Sequence, residues 1–240
     1  GGHPGISADY YGLYAKQLER HFDAVSPEFV GIISQGTSGD LWWGDYSQPK
    51  SKKPFQHAKE FAEGLAKRSL QALVELEHHR DIPLRMEEHR ESIKRRVPDE
   101  QRLAWAKRLN ALRGDRLPEN RPEVYAMQAV YLHNHPTDEV VLQAIRIGDV
   151  GITAMPNEVY GLTGLKLKRR SPLPVTFNVS LANGACGYIP PPEQHALGGY
   201  NTWPATTAGL EIAAEPRIVR TLLNMLKRIS EKSVKEFREP

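Results

Sequence analysis

Residues 147–200 read IGDVGITAMPNEVYGLTGLKLKRRSPLPVTFNVSLANGACGYIPPPEQHALGGY, and this stretch decides the fold. Its first part, residues 147–155, is largely apolar, which is typical of a strand that is buried on both faces. Pro156 ends this strand, and Asn157 is placed to cap a helix with Glu158 in its first turn. The stretch therefore predicts a carboxylate where a strand ends and a helix begins, the position of ligand sites in open α/β sheets.

Neighbouring segments complete the predicted sheet and its helical cover. Residues 175–181 form a second strand, and residues 139–147 form a third that the hairpin pair Gly148-Asp149 joins to the first. A helix from Pro216 to about Phe237 has one apolar stripe and is expected to pack on the sheet. We therefore predict one α/β domain over residues 1–240, with a mixed β-sheet core flanked by helices.

Polar residues follow each of these strand ends. Tyr188 comes after the second strand, so a phenol and the Glu158 carboxylate are predicted to meet at one site. Residues 28–34 (EFVGIIS) are predicted to form another strand, which leads into the loop QGTSGD of residues 35–40. Gly36 and Gly39 of this loop can adopt positive φ and turn amide groups toward a ligand oxygen. The loop is equally compatible with a plain surface turn. A glutamate at a helix start more often interacts with the helix dipole than with a ligand.

Composition excludes several classes of protein. The 240 residues are 40% hydrophobic and 25% charged, which is ordinary for a globular protein. A net charge of +3 is too small to indicate nucleic acid as a partner, and no apolar run approaches the ~20 residues of a transmembrane helix. The single Cys186 excludes an internal disulfide. The sequence has no G-x-S-x-G, H-E-x-x-H, C-x-x-C or phosphate-loop motif, which argues against the common hydrolase and nucleotide-binding classes.

Four segments, in this order along the chain, together resemble the neutral/alkaline (non-lysosomal) ceramidase family. They are ISADYYG (6–12), QGTSGD (35–40), IGDVGITAMPNEVYGLTG (147–164) and ANGACGYIPPPEQHALGGY (182–200). Tyr188 and Tyr200 stand twelve residues apart, as the family pattern requires. The resemblance implies the amino-terminal catalytic domain of that family, in a divergent member that lacks the carboxy-terminal immunoglobulin-like domain.

The resemblance implies a zinc site. Glu158 matches the family's zinc-binding glutamate, Tyr188 its zinc-binding tyrosine, and His3 is the candidate for its second zinc histidine. The distance from His3 to Asp9 is shorter than is usual in the family, so a ligand upstream of Gly1 is an alternative. The remaining zinc histidine is expected in an amino-terminal part that precedes this chain.

The loop departs from the family at the nucleophile. Where the family has Gly-Asp-Val-Ser-Pro-Asn, this chain has Gly39-Asp40-Leu41-Trp42-Trp43-Gly44, so Trp42 replaces the nucleophilic serine. An indole cannot attack a carbonyl. Three interpretations stay open: metal-activated water attacks directly, Ser38 or Thr37 substitutes, or the fold persists without the reaction. We rank attack by water first, because the glutamate and both tyrosines are retained, and we expect the two tryptophans to shape the substrate pocket.

These observations predict a zinc-dependent hydrolase that cleaves an amide (N-acyl) or related acyl bond of a small molecule or lipid. Tyr200 is implied to hold the substrate amide, and Ser38, Gly39 and Asp40 complete the predicted catalytic set, with loop amides near Gly39 facing the oxyanion. The alternative is a catalytically inactive binding protein that holds a metal, lipid or glycan. The resemblance also implies a secreted or periplasmic protein with a role in sphingolipid metabolism.

Overall fold

The computed structural model describes residues 5–42, 44, 47, 53, 55–74 and 76–231. The chain divides into two units, the first formed by residues 1–34 and 43–81 and the second by residues 35–42 and 82–240. The prediction of one domain over residues 1–240 stays a prediction.

The described helices are α1 (Asp9–Phe22), α2 (Gln56–Leu73), α3 (Glu100–Arg113), α4 (Arg121–Asn134), α5 (Gly161–Arg170), α6 (Pro192–His195) and α7 (Ala214–Ser230). The described strands are β1 (Leu84–Lys94), β2 (Thr137–Ile147), β3 (Val150–Ala154), β4 (Glu158–Val159), β5 (Val175–Val179) and β6 (Tyr188–Ile189). Short 3-10 turns occur at Tyr200–Thr202 and Thr206–Ala208. None of the described helices is long and apolar enough to cross a membrane.

The first unit is a pair of helices, α1 and α2. Their contact includes a hydrogen bond of 3.0 Å between the hydroxyls of Tyr14 and Ser69 and an edge-to-face ring pair, Tyr10 and Phe61, with centroids 5.1 Å apart. The small side chain Ala62 is fully buried, which allows the helices to approach closely.

The second unit is built on a mixed sheet in the strand order β1-β2-β3-β5. β1 and β3 both pair antiparallel with β2, and β3 pairs parallel with β5. The hairpin between β2 and β3 turns at Gly148, whose φ of +60° favours glycine. The parallel pair needs a crossover connection, which α5 supplies between β3 and β5.

α7 covers one face of this sheet. Its residues Ile218, Leu222, Met225 and Ile229 recur at helical spacing and are buried against sheet residues that include Leu142. Burial of a side chain of this size stabilises the fold by roughly 1.5–3 kcal/mol, so the stripe is a major part of the core. The predicted helical stripe and the predicted α/β fold with a mixed sheet and flanking helices are confirmed.

One predicted strand is wrong. Residues 28–34 form no strand in the structure, although the segment is apolar. Its polar backbone groups find other partners: the Gly31 N–H donates to the Glu19 carboxylate at 3.3 Å. An apolar run of this length fits a strand only when a neighbouring strand is free to pair with it.

Replacement of Leu222 by Ala should lower the free energy of unfolding by about 2–5 kcal/mol, because the side chain is fully buried and its loss leaves a cavity. Urea denaturation followed by circular dichroism measures this change. The matched control is Leu165→Ala on α5, where the side chain is 63% exposed and the expected change is within about 0.5 kcal/mol. Equal effects of the two substitutions would contradict the described packing of α7.

Candidate functional site

Glu158 and Tyr188 lie side by side on the two short strands β4 and β6. These strands pair in parallel, with Glu158 opposite Tyr188 and Val159 opposite Ile189. The backbone N–H of Glu158 donates to the Gly187 carbonyl at 3.0 Å, which fixes the register. The two side chains that the sequence predicted to share a site are therefore direct neighbours, and both are half-buried.

Asn157 holds this pairing in place and does not cap a helix. Its side-chain amide donates to the carbonyls of Cys186 and Gly187 at 3.3 and 3.4 Å, so it ties the two strands together. The predicted helix start at Asn157 is wrong, because Glu158 continues as a strand and α5 begins only at Gly161. Pairing with β6 satisfies backbone groups that a helix would otherwise have used.

Tyr200 joins the pair from the loop that follows β6. Its hydroxyl lies 3.3 Å from the Tyr188 hydroxyl, and the two rings meet edge to face with centroids 5.6 Å apart. The connecting loop contains α6, whose Glu193 pairs with Lys166 of α5 at 3.4 Å. Lys166 also contacts the buried Glu215 of α7 at 3.2 Å. The loop is therefore bound to α5 directly and to α7 through Lys166.

Burial raises the pKa of Tyr188 above the usual tyrosine value, and its contacts with Glu158 and Tyr200 raise it further. The phenol is therefore neutral at pH 7 when no cation is present. Protonated, it can donate a hydrogen bond to a neighbouring carboxylate or to a ligand oxygen.

Tyr160 is a further site residue that the sequence reasoning missed. It is almost fully buried, and burial raises its pKa, with further contributions from Asp40 and Tyr200. Its position two residues after Glu158 would have revealed it, because alternate residues of an extended segment point to the same side. The helix predicted at this point concealed that periodicity.

The loop of residues 35–42 packs against β4 and the start of α5. The Gly39 N–H donates to the Val159 carbonyl at 2.7 Å, and the Asp40 carboxylate accepts a 2.5 Å hydrogen bond from the Gly161 N–H. Asp40 thereby caps α5, the role that the sequence analysis gave to Asn157. The Ser38 hydroxyl lies 2.6 Å from the Gln35 side-chain nitrogen and accepts its hydrogen bond.

Gly39 is required by close approach and not by its backbone angles. Neither Gly36 nor Gly39 has positive φ, contrary to the expectation for this loop. A Cβ atom at Gly39 would lie 2.7 Å from the Glu158 carbonyl oxygen, which leaves no room for any other residue. The expectation that amides near Gly39 face an oxyanion fails for Gly39 itself, because its N–H is bonded to Val159.

Of the remaining predicted residues, one lies in the described part of the chain and two lie outside it. Trp42 ends the loop and is 51% exposed. His3 and Trp43 lie outside the described residues, so their predicted roles stay predictions.

The donor set fits part of a zinc site. Zinc accepts carboxylate oxygen, and a cation can bind a phenol as its ionised form, so Glu158 and Tyr188 are acceptable neighbours for one ion. Two ligands are half of a tetrahedral set. Among the described residues no three His, Cys, Asp or Glu side chains cluster as a metal site.

The sequence matches no protein-family model and no curated protein, but solved structures share its fold. The neutral ceramidase from Pseudomonas aeruginosa matches with a TM-score of 0.65 and 14% identity, over 92% of this chain and 40% of that one. A ceramidase complexed with C2 matches with a TM-score of 0.61 and 12% identity, over 95% of this chain and 44% of that one. The chain therefore has a ceramidase-like fold and spans about two fifths of the length of these proteins.

Two substitutions distinguish the helix-capping role of Asp40 from the effect of its negative charge. Asp40→Ala should lower the free energy of unfolding by about 1 kcal/mol because the Gly161 N–H loses its acceptor, whereas Asp40→Asn keeps an acceptor and most of the stability. Both changes should lower the pKa of Tyr160, since the Asp40 charge helps to raise it. Urea denaturation and alkaline titration of tyrosine absorbance measure the two effects. Equal stability of the two variants would contradict the cap.

The raised pKa of Tyr188 predicts a loss of stability at alkaline pH. In the unfolded chain tyrosine ionises near pH 10, whereas folded Tyr188 stays protonated to higher pH. The stabilisation is therefore fully present below about pH 10 and is lost as the pH rises above it. Tyr188→Phe should make the fall in unfolding free energy between about pH 9 and 11 less steep. An unchanged slope would show that the Tyr188 pKa is not raised.

Proposed function

We propose that this protein is a zinc-dependent hydrolase that cleaves an amide (N-acyl) or related acyl bond of a small-molecule or lipid substrate. One observation carries the proposal: Glu158 and Tyr188 are paired residue to residue, with the Tyr200 hydroxyl 3.3 Å from that of Tyr188. The ceramidase-like fold supports it, because the two solved structures named above are ceramidases.

Glu158 and Tyr188 would hold the ion, with His3 as a further ligand. When bound, zinc supplies a Lewis acid that polarises a carbonyl group and activates water. Glu158 provides the negative charge, and Tyr188 must lose its proton to bind, which its neighbourhood opposes in the absence of a cation. Zinc binding should therefore release a proton from Tyr188.

Tyr200 is the group that would contact the substrate. Its side chain is 59% exposed, and its hydroxyl is a donor that can reach the oxygen on which charge develops in acyl transfer. The nucleophile would be water, since Trp42 cannot attack a carbonyl and the Ser38 hydroxyl is engaged by Gln35. Trp42 and Leu41 are both exposed, and they would provide apolar contacts for an acyl chain.

A catalytically inactive binding protein is the second candidate. The replacement of the serine by Trp42 favours it. Such a protein would bind zinc, a lipid or a glycan at Glu158 and Tyr188 without turnover.

Zinc titration and a hydrolysis assay with N-acyl substrates test the proposal on a protein that contains residues 1–240. Addition of zinc at neutral pH should produce tyrosinate absorbance, which Tyr188→Phe abolishes. Glu158→Gln should weaken zinc binding by at least about tenfold. Tyr200→Phe should not weaken zinc binding, because it removes a contact that raises the Tyr188 pKa, and it should lower kcat by about 10²-fold, because it removes one donor to the oxyanion.

The outcomes distinguish the two candidates. Zinc binding and a tyrosinate signal without hydrolysis would favour the binding protein. Absence of zinc binding in the wild-type protein, or hydrolysis that Glu158→Gln leaves unchanged, would refute the zinc-dependent hydrolase. Tyr125→Phe is the matched control for loss of a phenol, because Tyr125 packs against Trp203.

A further inference from the structure

The face of the sheet opposite α7 carries two complete rows of apolar side chains. In the strand register, Leu84, Ile147, Val150 and Val175 form one row across β1, β2, β3 and β5. Met86, Ile145, Ile152 and Phe177 form the next row on the same side. Because neighbouring residues of a strand point to opposite faces, these eight side chains point away from α7. We call them the apolar sheet face.

Much of the apolar sheet face is open. Leu84 is 70% exposed, Val175 56%, Met86 54%, Phe177 40% and Ile147 38%. With roughly 150 Å² for one fully exposed large side chain, these five leave about 400 Å² of contiguous apolar surface. Typical monomers have a largest patch of about 300–600 Å², and patches of this kind often mark an interface.

The charged residues at the edge of the apolar sheet face do not favour an oppositely charged partner. Beyond the second row, Arg90 pairs with Glu88 at 3.1 Å and with Glu139 at 2.8 Å, all within the chain. These three charges sum to −1, which is too small to attract a highly charged molecule or to repel an identical face strongly.

The rows are also self-complementary. A two-fold axis parallel to the strands places β1 of one copy over β5 of the other and keeps each row opposite its own row. Met86 of one copy then lies opposite Phe177 of its partner, and Leu84 opposite Val175. Two sheets stacked about 10 Å apart interdigitate such side chains, as in β-sandwiches.

We propose that the apolar sheet face is a homodimer interface in which two copies stack their sheets about this two-fold axis. Two copies bury about 800 Å² from the five most exposed side chains alone, against roughly 1,200–2,000 Å² in stable complexes. The remaining area comes from residues at the edge of the face and from the half-buried Ile145, Val150 and Ile152. We expect a dissociation constant in the micromolar range. This inference is independent of the proposed hydrolase activity.

Sedimentation velocity over about 1–100 μM protein tests the interface. The wild-type protein should form a dimer, and Met86→Lys or Phe177→Glu should each raise the dissociation constant at least about tenfold, because each buries an unpaired charge. The double variant M86K/F177E should recover most of the affinity, since the two-fold axis places the introduced charges opposite each other between copies. Within one copy they are three strands, or about 14 Å, apart and cannot pair.

Two further sets of variants serve as controls for the sedimentation experiment. Leu165→Lys on α5 changes an exposed apolar residue outside this face and should leave the dimer intact. If a variant loses its circular dichroism spectrum, the pair Leu84→Lys and Val175→Glu, one row away, repeats the test. A monomer at all concentrations, a dimer that every variant leaves unchanged, or a monomer that binds phosphatidylcholine vesicles through this face would overturn the proposal.

Discussion

The parallel pairing of β4 with β6 is the constraint on which the candidate site depends. Each strand has only two residues, so the pairing contributes few hydrogen bonds of its own. Asn157 compensates by donating to two carbonyls on the opposite segment. Gly187, with φ of +72°, lets the turn at Thr207 approach the start of β6, because a Cβ there would lie 2.5 Å from the Thr207 carbonyl oxygen. The separation of Glu158 and Tyr188 is therefore set by contacts of the backbone and of Asn157, and not by the two side chains themselves.

The same two strands also position the loop that carries Trp42. Gly39 hydrogen bonds to Val159 of β4, and Asp40 caps the helix that follows this strand. One anchor is a backbone contact and the other is the Asp40 carboxylate, so the loop is held up to Asp40 and the side chains after it are exposed. The loop therefore keeps both anchors although Trp42 stands where the ceramidase pattern has its serine.

Sequence reasoning succeeded where a periodic pattern was long. The α7 stripe, the β2–β3 hairpin and the mixed sheet follow from spacing and turn residues. The prediction was wrong at residues 157–160. Asn followed by Glu favours a helix start locally, but pairing with β6, thirty residues later, makes Glu158 and Val159 a strand. The failure concealed Tyr160 and misplaced the cap, since Asp40 lies 121 residues from Gly161. The sequence predicted that Glu158 and Tyr188 share a site, but only the structure shows that they lie directly opposite each other on paired strands.

The neutral state of Tyr188 is compatible with a role in metal binding. Ionising an ordinary tyrosine at pH 7 costs roughly 4 kcal/mol, and burial beside Glu158 increases that cost. Zinc strongly lowers the pKa of an oxygen ligand that it binds, so direct coordination would offset this cost. A half-buried phenol beside a carboxylate thus stays protonated until a cation arrives. The carboxylate that disfavours the bare phenolate is the same group that would attract a cation, so Glu158 and Tyr188 are coupled by charge as well as by register.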